Sequence, residues 1–434
     1  MSKPTPALGL EDKPGLIRGI RRWDLVAVAI NGIIGAGIFG IPSEVFKTIG
    51  VYSIAAFVVC AVVVSLIILC FAEVGSRFEA TGGPYLYAGE AFGELTGFTV
   101  GWLLWLARLT AFAANLNLLV SYLVYFWPNA GSTLWRPVVI TTTVLLLTSV
   151  NIIGVRDTAR LSNVFTIGKL IPIGLFIVAG IFFLSPASYS PGSPPSFGSF
   201  SSAVLILIYA FTGFEIAVIP AGEVESPRQN LPMAILTALA VVAVVYILIQ
   251  IVCVGTLPDL ATSNRPLTDA SISFLGRTGA VVMTVGALVS IVGNLNVLIL
   301  AASRLPFAMG ERYELPTILA RTHPRFKTPY ISIVLSSAVM LVATLSGTFV
   351  YALSISVIAR LLAYASTVVA LISFRRNPSS PKQFFNLRGG VPIAVVALLL
   401  IAWLLANTQA AQARDAAIAA GIGLALHLSY RRFR

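Results

Sequence analysis

Four ionisable residues stand inside long apolar stretches of this 434-residue chain: Arg108, Lys169, Glu215 and Arg360. A charge at bilayer depth is costly, so such residues pair with one another, line a water-filled path or hold a cargo. Two other stretches offer backbone chemistry instead. Asn31-Gly32-Ile33-Ile34-Gly35-Ala36-Gly37-Ile38-Phe39-Gly40-Ile41-Pro42 carries four glycines and a proline in one apolar block. Phe211-Thr212-Gly213-Phe214-Glu215, followed by Pro220-Ala221-Gly222, is a second weak point. Each glycine costs a helix about 1 kcal/mol relative to alanine. Unwound backbone at membrane depth is tolerated only where it is buried in protein or lines a cavity. A break frees N–H groups at the start of one half-helix, which suit a carboxylate. It also frees carbonyls at the end of the other half, which suit an ammonium or a cation. A zwitterion presents both charges. Glycines of this kind also serve close helix–helix packing.

Covalent chemistry has no visible apparatus. The chain lacks the phosphate-binding G-x-x-x-x-G-K-[ST] pattern, H-E-x-x-H and any Cys/His cluster with zinc spacing. No apolar stretch sets a nucleophile beside a His base. No catalytic residue, metal ligand or cofactor is therefore expected. Cys60, Cys70 and Cys253 read as small apolar packing residues, and His323 and His427 as surface residues near the cytoplasmic face.

The elements that would position these groups follow from composition. The chain is 57% hydrophobic and 11% charged, where a soluble domain carries about 25% charged residues. A core cannot hide that much apolar surface at this length. The fold class is all-α integral membrane. Windows of bilayer length, about 20 residues, fall at 24–49, 53–73, 96–126, 135–154, 161–184, 201–222, 233–257, 278–307, 331–348, 351–374, 391–408 and 413–430. That predicts 12 transmembrane helices: a cytoplasmic lead at 1–23, five helices over 24–184, five over 201–374, and two additional helices over 391–430. A polar lead longer than twenty residues before the first apolar run argues against a cleavable signal peptide. The breaks fall in the first and sixth windows, matching positions of two five-span groups. Paired interruptions of this kind mark a binding site near the bilayer midplane.

Lys and Arg cluster on one side of these windows. Lys3, Lys13, Arg18, Arg21 and Arg22 precede the first; Arg77, Arg156, Arg160, Arg228, a group from Arg304 to Lys327 and another from Arg375 to Arg388 fill the even-numbered loops; Arg431, Arg432 and Arg434 follow the last. The opposite side has only Lys47, Arg136, Arg265, Arg277 and Arg414. The positive-inside rule then places both termini in the cytoplasm. It also accounts for the formal charge of +12 without a nucleic-acid partner.

At these residues the chain resembles the amino acid–polyamine–organocation superfamily of permeases. Gly35-Ala36-Gly37-Ile38-Phe39 resembles that family's first-helix motif, G-S/A-G-I-F, and Thr81-Gly82-Gly83-Pro84-Tyr85 is similar to its G-G-x-Y loop. Phe211-Thr212-Gly213-Phe214-Glu215 with Glu223-Val224-Glu225-Ser226-Pro227-Arg228 and Leu231-Pro232 resembles the sixth-helix signature and the loop behind it. The resemblance covers essentially the whole chain. It implies an inverted-repeat fold of the LeuT type, five plus five plus two helices. It further implies that backbone amides matching Ile33, Gly35, Ala36 and Gly37 bind a substrate α-carboxylate. Carbonyls matching Tyr209 and Thr212 would bind the α-amino group, with Tyr209 as an aromatic gate. Ala36 stands where relatives often have Ser, so its backbone keeps the role while its side chain offers no hydroxyl to the substrate.

Lys169 matches a fifth-helix lysine whose ammonium replaces a sodium ion beside the first break in sodium-independent members. A lysine removed from water also exchanges its proton more readily, so Lys169 is a candidate coupling residue; the alternative is a side chain reaching the cytoplasmic interface. Glu215 is a second coupling candidate or a structural brace. Arg108 matches a pocket position, where it would favour an acidic side chain, or else pairs with Glu215; Arg360 braces Glu215 or gates the pathway. The expected function is secondary transport of amino acids across the cell (inner) membrane, sodium-independent and proton-coupled. The alternatives are obligate exchange on the same fold and a non-transporting sensor. Expected partners are an amino acid substrate, protons and the lipid bilayer, with no obligate protein partner.

Overall fold

The computed structural model describes residues 20–80, 82–154, 158–219 and 221–432. The lead bearing Lys3, Lys13 and Arg18 lies outside the described residues, as do Thr81, Arg156, Pro220 and Arg434. Among the described residues the chain is helical, with no strand. The helices are α1 (Arg22–Ile33), α2 (Gly37–Ile49), α3 (Ser53–Gly75), α4 (Pro84–Phe92), α5 (Glu94–Leu123), α6 (Trp135–Ile153), α7 (Thr158–Gly180) and α8 (Phe197–Phe211). They continue with α9 (Glu215–Val218), α10 (Pro227–Thr256), α11 (Pro266–Glu311), α12 (Tyr330–Ser346), α13 (Phe349–Arg376), α14 (Gly390–Ala406) and α15 (Ala410–Arg432).

Every apolar window falls on helix, and the first and sixth are each split in two. Six stretches are long and apolar enough to cross a membrane alone: Gly37–Gly75, Glu94–Leu123, Trp135–Ile153, Pro227–Thr256, Pro266–Glu311 and Phe349–Arg376. Gly390–Ala406 and Ala410–Tyr430, bent by 112°, reach that standard together. Shorter apolar helices lie at Gly168–Phe183, Phe197–Phe211 and Tyr330–Ser346. Two features were not legible in the windows. The short α4 fills part of the loop before α5, and α11 begins well before its window, kinked at Gly276.

Burial separates the centre of the bundle from its rim. α5 is buried along nearly its whole length and packs on α13, α11 and α12. α6 buries only Ile140, Val144 and Asn151 and exposes Leu145, Leu146, Val150 and Ile153. Exposed apolar side chains likewise mark α7 (Ile171, Val178) and α14 (Val395, Leu399). A water-soluble protein rarely exposes contiguous apolar surface on this scale, whereas a bilayer solvates it. Cys60, Cys70 and Cys253 are free and buried, as their apolar setting implies. His427 departs from the surface reading. It is buried, stacked on Phe98 with ring centroids 4.3 Å apart, and its Nδ1 lies 3.2 Å from the Glu314 carbonyl.

One end of the bundle is tied by a carboxylate. Glu73, at the end of α3, is fully buried. It accepts from Arg77 Nη2 (3.1 Å), from Arg375 Nε (2.8 Å) and Nη2 (2.5 Å), and from the Leu387 N–H (3.1 Å). α3, α13 and the segment before α14 thus meet on one charge. Ile20 pairs with the loop after α9: its N–H donates to the Glu223 carbonyl (3.0 Å) and its carbonyl accepts from the Glu225 N–H (2.9 Å). Replacing Glu73→Gln leaves two arginines without their counter-charge. The expected cost is about 3 kcal/mol, the low end for breaking a buried ion pair, read as a lower melting temperature of detergent-purified protein. An unchanged melting temperature would show that the cluster does not hold this end together.

Candidate functional site

Glycine chemistry decides where α1 and α8 stop. Ile34 leaves the helical region at ψ 77°, and the Gly35 N–H turns back to the Ile33 carbonyl at 2.7 Å. Gly213 adopts φ +108°, a region that residues with a Cβ rarely enter. The two breaks touch: a Cβ on Gly32 would stand 2.7 Å from the Gly213 carbonyl oxygen. Neither position tolerates a side chain without moving the other break.

The freed backbone groups are largely claimed by side chains from neighbouring helices. Lys169, on α7, is buried, and its ammonium donates to the carbonyls of Asn31 (2.8 Å) and Ile34. It therefore closes the end of α1 rather than reaching for the interface. The Tyr246 hydroxyl, from α10, lies within hydrogen-bond distance of the carbonyls of Ile33 (2.9 Å) and Ala210 (3.1 Å), one from each broken span. The Tyr209 carbonyl accepts from the Thr212 N–H (3.3 Å) and hydroxyl (2.8 Å). Glu215 folds back on its own break: Oε2 accepts from the Gly213 N–H (2.9 Å) and the Tyr364 hydroxyl (2.8 Å), and Oε1 pairs with Arg360 of α13.

What remains is a small set of open groups. Ile33 sits in the last turn of α1, and the Gly35 N–H is occupied. Ala36 and Gly37, at the start of α2, have no partner for their N–H groups among the described residues, as the first amides of a helix lack intrahelical acceptors. The Thr212 carbonyl is also without a donor among them. The Tyr209 ring packs against α2, where a Cβ on Gly37 would stand 3.0 Å from its Cδ1. Its hydroxyl donates to Asn115 Oδ1 (2.7 Å), with the Ala111 carbonyl at 3.2 Å, both on α5. Residues 33–40, Tyr209 and Thr212 are all buried, so the site is closed in this conformation.

Arg108 is buried on α5 and donates to the Ala301 carbonyl of α11 at 3.4 Å. The ion pair of Glu215 is with Arg360, and no carboxylate lies within 4.0 Å of Arg108 among the described residues. Sequence reasoning did not single out Tyr246, Tyr364 or Asn115, nor Asn294 of α11, whose amide occupies the space a Cβ on Gly35 would need. A polar uncharged residue in an apolar window is a weak signal. Which of them meets a freed carbonyl depends on how helices distant in sequence pack.

A profile of the family described as amino acid permease matches residues 20–423. The chain is 30% identical to the methylthioribose transporter of Bacillus subtilis (strain 168) over 347 residues, 76% of this chain and 75% of that one. It is 30% identical to the serine/threonine exchanger SteT of the same organism over 380 residues, 86% of each chain. It is 28% identical to the large neutral amino acids transporter small subunit 2 of Mus musculus over 429 residues, 93% of this chain and 77% of that one. A family match across nearly the whole length, on a helical bundle with apolar spans and two touching breaks, identifies the chain as a multi-pass membrane transporter and not an enzyme: it belongs to the amino acid permease family of the amino acid–polyamine–organocation superfamily.

Proposed function

We propose that the chain is a sodium-independent, proton-coupled secondary transporter of amino acids in the cell (inner) membrane, with twelve spans, a five-plus-five inverted repeat and both termini cytoplasmic. The observation that carries this reading is the contact between the two breaks, with Lys169 sealing the carbonyl end of the first. Its ammonium holds the place a coupling cation would take on the same carbonyls, so no sodium ion is needed there. In this reading the substrate carboxylate docks on the Ala36 and Gly37 amides. The Ile33 and Gly35 positions join as the Gly35 N–H is released. The α-amino group engages the Tyr209 and Thr212 carbonyls after the Thr212 side chain gives way, and Tyr209 gates the site. Arg108, left without a carboxylate, faces the side chain of the substrate and favours an acidic or polar one.

Uptake of radiolabelled amino acids into proteoliposomes, with and without an inward proton gradient and with and without trapped amino acid, tests the reading. Uptake into empty vesicles that rises with the gradient is expected. Exchange is the second reading, favoured by the likeness to an exchanger; uptake only into loaded vesicles would establish it. In Lys169→Ala, uptake is expected to fall at least tenfold and its dependence on external pH to flatten. An unchanged pH profile would remove Lys169 from coupling.

Glu215 is assigned as the brace of the second break rather than a proton carrier. Glu215→Gln strands Arg360 and is expected to destabilise the protein by about 3–5 kcal/mol, whereas Tyr364→Phe costs about 1 kcal/mol; both are read by thermal unfolding in detergent. A Glu215→Gln protein that melts normally and loses pH dependence would return Glu215 to coupling.

Arg108→Ala is expected to reorder substrate preference away from acidic amino acids by about tenfold, one charge-assisted contact. The measurement is competition by a panel of unlabelled amino acids. An unaltered order would place Arg108 in a purely structural role.

A further inference from the structure

A cavity of 540 Å³ opens at the end of the bundle where α3, α13 and α14 meet. Arg77, Arg375 and Lys382 line it together with polar residues 377–386, and no acidic residue does. Glu73, which pairs two of these cations, is fully buried behind the wall. The wall thus carries three cations against one carboxylate. Arg77 and Arg375 keep their guanidinium groups on Glu73 and on the carbonyls of Pro381 and Leu387. Lys382 makes no ion pair among the described residues. A lining of two guanidinium groups and an exposed ammonium, with no acidic residue, suits a phosphate-type anion.

The floor of the cavity shows which source of phosphate it fits. Val391, at the start of α14, lines it. Val395 and Leu399 follow at i+4 and i+8 on the same helix face, 45% and 65% exposed. An apolar track one helix face wide leads from the phosphate pocket along an outward surface of the bundle. Basic pockets between helices on the cytoplasmic side are a recurrent mode of anionic-lipid recognition. We propose that this cavity binds the headgroup of an anionic glycerophospholipid, with an acyl chain lying along Val395 and Leu399.

Occupancy reaches the transport machinery through the backbone. Arg228, in the first turn of α10 behind the second break, donates to the carbonyl of Lys382 and, through Nε at 3.1 Å, to the carbonyl of Ser76. A bound headgroup holds the segment at 377–391 against α3 and α13, and so steadies the anchor of α10. The assignment of this face to the cytoplasm rests on the proposed topology. Binding to detergent-purified protein does not use transport, so the two readings fail separately.

The test is native mass spectrometry and thermal unfolding of full-length protein in detergent. The additions are phosphatidylglycerol, phosphatidylcholine and soluble glycerol 3-phosphate. Phosphatidylglycerol is expected to be retained and to raise the melting temperature by several degrees, while phosphatidylcholine does neither. Lys382→Ala, which leaves the Glu73 cluster intact, is expected to weaken retention about fivefold, the effect of one basic residue at an anionic lipid surface. Arg376→Ala, an exposed neighbour outside the cavity, is the control and should change nothing. Leu399→Ser should weaken phosphatidylglycerol but not glycerol 3-phosphate. Equal stabilisation by glycerol 3-phosphate would replace the lipid with a free phosphate ester. Equal retention of both lipids, or the same loss in Arg376→Ala and Lys382→Ala, would overturn the site.

Discussion

No backbone N–H or carbonyl can be left dry inside a membrane, and the arrangement of this protein follows from how the groups freed by two broken helices are satisfied. An unpaired polar group in hydrocarbon costs several kcal/mol, so most of the opened carbonyls recruit a donor. Lys169 covers Asn31 and Ile34. Tyr246 bridges Ile33 and Ala210. Thr212 folds onto the Tyr209 carbonyl, and the Glu215 carboxylate takes the Gly213 N–H. These contacts turn two weak points into a shaped centre. The few groups left over, the Ala36 and Gly37 amides and the Thr212 carbonyl, carry opposite partial charges on opposite breaks.

The buried charges divide the work according to partners. Glu215 and Arg360 neutralise each other, and Tyr364 holds the carboxylate in place. A carboxylate that accepts from a guanidinium, a hydroxyl and a backbone N–H ties three chain segments together. Lys169 bonds to carbonyl oxygens and makes no ion pair among the described residues. Arg108 has a single carbonyl contact at 3.4 Å. Of the four charges it is the one with most hydrogen-bonding capacity to offer a ligand.

A second network governs the end of the bundle. The Glu73 cluster, the pairing of Ile20 with residues 223–225 and the Arg228 contacts join α3, α10, α13 and the segment before α14. The half-exposed ties of Ile20 and Arg228 can break and re-form at modest cost because water replaces them, whereas the buried Glu73 cluster cannot. The buried breaks offer no such replacement in this conformation.

Much of this protein is written in local sequence. Membrane class, helical fold and the positions of both breaks follow from runs of apolar residues and from Gly32, Gly35, Gly37 and Gly213, because helix propensity and bilayer length act over neighbouring residues. Lys169 is legible for the same reason: a lone charge inside an apolar window must have a use. Only the tertiary structure decided the partners. Glu215 met Arg360 rather than Arg108, Tyr246 joined the two breaks, and Glu73, at the edge of its window, gathered an arginine from the far end of α13. His427 was drawn inside against Phe98. Each of these contacts joins residues far apart in the chain, and short-range propensity carries no information about which helices become neighbours. The sequence by itself determined where the chain must break; the packing of the other helices determined what the breaks hold.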